Sequence, residues 1–141
     1  MPSGFVNRWK GKIAADQIWI GGQSLVGPAS GQTLSTGSAT NIIAASGVTS
    51  IAATSVLAIF RLQKPTVTNT EKTIQLTTVS SGIFITASTD GSVTLNGSSI
   101  NTTIKSTLAG VIALVATSTS NWAIVGVYPS TTGFPTLSTS T

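Results

Sequence analysis

Thr73-Ile74-Gln75-Leu76, Gly82-Ile83-Phe84-Ile85, Val93-Thr94-Leu95-Asn96-Gly97, Val111-Ile112-Ala113-Leu114-Val115 and Asn121-Trp122-Ala123-Ile124-Val125-Gly126 are the segments that decide the fold. In the first three, apolar residues fall on alternate positions: Ile74 with Leu76, Ile83 with Ile85, Val93 with Leu95. A period of two is that of a strand with one buried face. Val111 to Val115 is apolar throughout, as is Val56 to Phe60, and such runs suit central strands or strands at an interface. Asp90-Gly91 and Asn96-Gly97 interrupt the pattern with residues that accept positive φ, and both predict tight hairpins. Thr117 to Asn121 reads as a longer hairpin loop between two apolar strands.

Working outward, the same reading places strands at Thr40–Ala44, Thr49–Ala53, Val56–Leu62, Thr73–Thr77, Gly82–Ala87, Ser92–Leu95, Ser99–Ile104, Val111–Thr117 and Trp122–Val127. Strand signals that recur every ~8–12 residues point to a β-sandwich of jelly-roll-like type. The composition agrees. Aliphatic residues are mostly Ile, Val and Ala, and Thr is abundant, so β-branched side chains dominate and favour a pleated sheet over a helix. The expected fold is all-β.

The flanks differ. Residues 1–40 hold Trp9 and Trp19, the basic cluster Arg8, Lys10 and Lys12, and a Gly/Ser/Gln-rich stretch from Gly21 to Ser38; apart from a short strand at Gln17–Ile20, they read as an extended arm and loop. Residues 41–128 form the sandwich. Residues 129–141, with Pro129, Gly133 and Pro135, read as an extended C-terminal tail. Asn41 to Phe60 is uncharged, but its Asn, Ser and Thr residues make it too polar for a membrane span.

Charge is scarce. Only 7% of the 141 residues are Asp, Glu, Lys or Arg, against about 25% in an average soluble domain. Hydroxyls take their place, with 20 Ser and 24 Thr. There is no histidine and no cysteine. General acid–base chemistry then falls to Asp16, Glu71, Asp90 or a desolvated lysine. Asp16 lies in the arm, Asp90 in a turn, and Glu71 beside Lys72 reads as solvated; Glu71 with Asp90 is the one carboxylate pair a hydrolase could draw from the sandwich. No zinc, calcium or phosphate-binding pattern is present, so no cofactor is expected. Arg8-Trp9-Lys10 is too small a patch for nucleic acid. Trp122 and Tyr128 near hairpin ends could face a glycan, or Trp122 could simply open the last strand and pack on the core. A weakly polar, nearly uncharged surface costs little to dehydrate, so part of it is expected to be covered by other copies or by a partner.

The segments from Thr73 to Val127 resemble the β-sandwich modules of tailed-bacteriophage virion proteins, found in head decoration proteins, head fibres and tail fibres. Those modules close with a polar hairpin and a strand that reads Asn-Trp, an apolar alternation and Gly, as Asn121 to Gly126 does here. The resemblance covers about 55 residues. It implies a non-enzymatic virion component, often trimeric: a capsid decoration or cement protein on the capsid exterior, whose partner is the major capsid protein or another shell protein. In that role the arm, through Phe5, Arg8, Trp9, Lys10, Lys12 and Trp19, is expected to meet the shell. A tail or fibre adhesin that binds host glycan is the alternative.

Overall fold

The computed structural model describes residues 31–38, 41–54, 57–87, 92–132 and 134–139, together with the backbone of two short strands near the N-terminus. The protein is all-β, and no helix occurs among the described residues. The strands are β1 (Trp19–Ile20), β2 (Gln23–Ser24), β3 (Gln32–Ser35), β4 (Ile42–Ile43), β5 (Gly47–Ala53), β6 (Ala58–Leu62), β7 (Glu71–Val79), β8 (Ile83–Thr86), β9 (Thr94–Leu95), β10 (Thr103–Ser106), β11 (Gly110–Ser118), β12 (Asn121–Tyr128) and β13 (Thr136–Ser138). β1 and β2 pair with each other. The others form a six-stranded sheet, ordered β3-β5-β7-β11-β12-β9, and a five-stranded sheet, ordered β13-β10-β8-β6-β4.

From β3 to β10 each successive strand lies in the other sheet. The chain therefore winds around the core, and strands two apart pair in parallel: β3 with β5, β5 with β7, β4 with β6, β6 with β8. After β8 the pairing turns antiparallel, through β8–β10, β7–β11 and the β11–β12 hairpin. Antiparallel β13 and parallel β9 complete the edges.

The alternation does what it predicts. Ile74, Leu76, Ile83, Ile85, Val93 and Leu95 are all buried. With Ile51, Phe60, Ile104, Ile112, Leu114 and Trp122 they fill one core between the sheets. Each fully buried aliphatic side chain contributes about 1.5–3 kcal/mol. Of the two apolar runs, neither is covered on both faces. In β6 Ile59 and Arg61 stay exposed, and in β11 Val111, Ala113 and Val115 are half-buried.

Asn96-Gly97 forms the expected turn, with φ of 51° and 78°, and Leu95 bridges Ser98. The strand expected at Ser99–Ile104 begins only at Thr103. Ser98 Oγ accepts from the Ile100 and Asn101 amides at 3.2 and 3.0 Å, which holds that backbone in a turn instead of a ladder. Asp90-Gly91 lies outside the described residues. Two strands of the sandwich fall beyond residues 41–128. β3 belongs to the segment read as arm and loop, and β13 to the segment read as a tail. β13 is tied in by Phe134, which is buried against Gly110: a Cβ on Gly110 would come within 2.6 Å of the Phe134 ring and 2.3 Å of the Tyr128 carbonyl oxygen.

Candidate functional site

Three features of the sandwich have chemistry to offer: the outer face of the six-stranded sheet, a buried lysine network, and a groove on the five-stranded sheet.

The outer face follows from the register. Opposite the core residues Ile51, Ile74 and Ile112, alternation turns out Val48 and Ser50 of β5, Thr73 and Gln75 of β7, and Val111, Ala113 and Val115 of β11. The cross-strand rows run Ser50–Gln75–Val111–Tyr128 and Val48–Thr73–Ala113–Gly126. Ser50 Oγ donates to Gln75 Oε1 at 2.9 Å. Val125 is 64% exposed and Tyr128 74%. Glu71 is the one charged residue that the strands of this sheet turn outward among the described residues. The result is a face of mostly small side chains, with Tyr128 and Glu71 the exceptions, apolar toward β12 and hydroxyl-rich toward β5.

The lysine network sits at the opposite, inner side of the same sheet. β7 alternates Lys72, Ile74, Leu76 on its core face, so Lys72 enters the interior and is only 1% exposed. Its ammonium donates to the Ser46 carbonyl at 3.2 Å and, by a short bond, to Thr49 Oγ1. Thr49 is fully buried and donates to Gln32 Oε1 at 2.9 Å. The same Oε1 accepts from the Ala44 amide at 3.0 Å, and Gln32 Nε2 donates to the Ile42 carbonyl at 2.9 Å. No carboxylate pairs with Lys72 among the described residues. Burial therefore lowers its pKa from 10.5 to about 8. This network was legible in part: the alternation that places Ile74 and Leu76 inward places Lys72 with them, although composition alone groups it with scattered surface cations.

The groove, of about 380 Å³, opens over the five-stranded sheet between Leu57, Phe84, Lys105 and Thr136. Phe84, Lys105 and Thr136 are successive cross-strand neighbours, and the Lys105 ammonium lies 4.9 Å from the Phe84 ring centre. That cation–π contact holds the charge against an apolar floor.

Of the residues expected to meet a shell, Phe5, Arg8, Trp9, Lys10 and Lys12 lie outside the described residues. Trp19 is described by backbone only, as the first residue of β1. Trp122 is fully buried and its indole N–H donates to the Gln63 carbonyl at 3.0 Å, which ties β12 to the residue that follows β6. It is a core residue and offers no platform for a sugar; of the pair considered for glycan only Tyr128 is exposed. Glu71 is exposed and Asp90 lies outside the described residues, so no carboxylate pair is assembled among those described. No group of three or more His, Cys, Asp or Glu able to hold a metal occurs among them either.

The Asn-Trp pair has a clear structural role. Asn121 Oδ1 accepts from Thr94 Oγ1 at 2.6 Å and from the Gly97 amide at 2.9 Å. Asn96 Oδ1 accepts from the Ile124 amide at 2.8 Å. Together they clamp β9 and its turn to β12. No protein-family model matches the chain, and no curated protein is significantly similar to it.

Proposed function

We propose that this protein is a structural component of a bacteriophage virion that associates with copies of itself, as a homotrimer, and decorates the capsid exterior without catalysing a reaction. The observation that carries the proposal is the outer face of the six-stranded sheet. Charged side chains are costly to bury unless they are paired, and this face has almost none to desolvate. Val111, Ala113, Val115 and Val125 give it apolar area, and the small side chains of Ser50, Thr73 and Ala113 let a second surface approach closely. The resemblance of Thr73 to Val127 to virion sandwich modules supports the same reading. In it, the basic and aromatic N-terminal segment around Phe5, Arg8, Trp9, Lys10, Lys12 and Trp19 contacts the major capsid protein, and several modest contacts add through multivalency.

The experiment is co-sedimentation with intact capsids. Full-length protein is expected to pellet with shells at a fixed copy ratio to the major shell protein. A chain lacking the residues before Gly21 is expected to keep its fold and lose that binding. Undiminished binding of the shortened chain contradicts the assignment of the arm, and no binding of the full chain contradicts the virion role. The glycan-binding alternative has lost its tryptophan, since Trp122 is in the core.

A further inference from the structure

We propose that Gln32 and Thr49 join in an intramolecular ester bond, formed once by the folded protein, which staples edge strand β3 to β5. The two residues are direct cross-strand partners, and Thr49 Oγ1 already touches the Gln32 carboxamide, 2.9 Å from Oε1. A hydroxyl, an amine and a backbone N–H donor surround that contact. The nucleophile is a hydroxyl shielded from water, because Thr49 is fully buried. Beside it stands Lys72, which donates to the same oxygen; with no carboxylate partner among the described residues, its ammonium can give up a proton, and the neutral amine then accepts from that hydroxyl. The Ala44 amide points at Oε1 from 3.0 Å, where negative charge develops on attack. The amide nitrogen that must leave donates to the Ile42 carbonyl, a bond it gives up on departure. Strand pairing fixes both reactants in one geometry, which converts a slow bimolecular reaction into a local one.

The step balances without any further reactant. Neutral Lys72 takes the Thr49 hydroxyl proton as Oγ1 bonds to Gln32 Cδ. The carbonyl electrons move to Oε1 and are stabilised by the Ala44 N–H. As Nε2 turns from the Ile42 carbonyl it takes the proton from Lys72, the Cδ–Nε2 bond breaks, ammonia leaves, and the carbonyl re-forms as an ester. Nothing is oxidised or reduced. The bond locks the first strand of the winding, which connects directly to the N-terminal segment, onto the body of the sandwich. A tensile load on that segment then meets a covalent link instead of the ladder of a four-residue edge strand.

Intact-mass spectrometry of the purified full chain tests this. The expected mass is that of the sequence less one ammonia. After proteolysis the peptide holding Gln32 is expected to be joined to the peptide holding Thr49, and hydroxylamine is expected to separate them. Thr49→Ser keeps a hydroxyl and is expected to show the same mass loss. Thr49→Val and Lys72→Met are expected to show full mass. Full mass in the wild-type protein overturns the proposal, whether or not the variants fold. So does an ammonia loss that maps elsewhere in the chain. Mass loss that persists in Lys72→Met removes the lysine as the base.

Discussion

Lys72 carries an ammonium into the interior with only a carbonyl and a hydroxyl to receive it, and the consequence is a specific pH dependence. Its pKa is about 8 when folded and 10.5 when exposed. Between those values the unfolded chain binds more protons than the folded one, so stability rises with pH. The gain from pH 8 to 10.5 is about 3 kcal/mol at most. Below pH 8 this group adds no further slope. Urea midpoints measured across that range are expected to climb for the wild type and to stay flatter for Lys72→Met. A flat wild-type profile contradicts the burial of a charged Lys72. At Gly110 a different force acts, because the Tyr128 carbonyl oxygen and the Phe134 ring occupy the space a methyl would need. Gly110→Ala is expected to cost about 1–3 kcal/mol by overpacking, read as a lowered Tm, with loss of amide protection in β13.

At the scale of elements, the β11–β12 hairpin and the turn it clamps hold the antiparallel half together. Asn121 accepts two hydrogen bonds through one oxygen, so Asn121→Ala is expected to destabilise by about 1–3 kcal/mol. Trp122→Ala removes the largest fully buried side chain and the link to Gln63, and is expected to cost about 3–5 kcal/mol. Chemical denaturation of both variants checks the order; a smaller loss at Trp122 than at Asn121 contradicts its place in the core. These elements were legible because their signals are local: alternation in β7 and β8, and Asn-Gly at the turn. The longer loop expected at Thr117 to Asn121 is instead a tight turn, because Ser118 pairs with Asn121 and only Thr119 and Ser120 lie between the strands. β3 and β13 were not legible. Gln-Thr-Leu-Ser and Thr-Leu-Ser are short, carry one apolar residue each, and gain their strand character from the edges they pair with. Parallel winding was also hidden, since a two-residue period says which face is buried and nothing about which neighbour a strand meets. Lys72 shows the same limit from the other side: its inward placement is in the pattern, but its partners Thr49 and Ser46 come from β5 and the turn before it, more than 20 residues away.

For the whole molecule, the distribution of charge matters more than its sum of +4. Arg8, Lys10 and Lys12 cluster near one end, Arg61 to Lys72 holds four charges, and none follows Lys105. In the sandwich this leaves β11 and β12 without a formal charge, and they form the apolar half of the outer sheet face. In the proposed assembly copies meet on this charge-poor face, and a single charge placed at its centre is expected to part them. Sedimentation equilibrium on the wild type and on Ala113→Glu, with circular dichroism to show that the variant keeps its sheet content, tests the claim most directly. The expected result is a trimer for the wild type and a folded monomer for Ala113→Glu. A wild-type protein that remains monomeric at high concentration, or a variant that assembles as the wild type does, contradicts it.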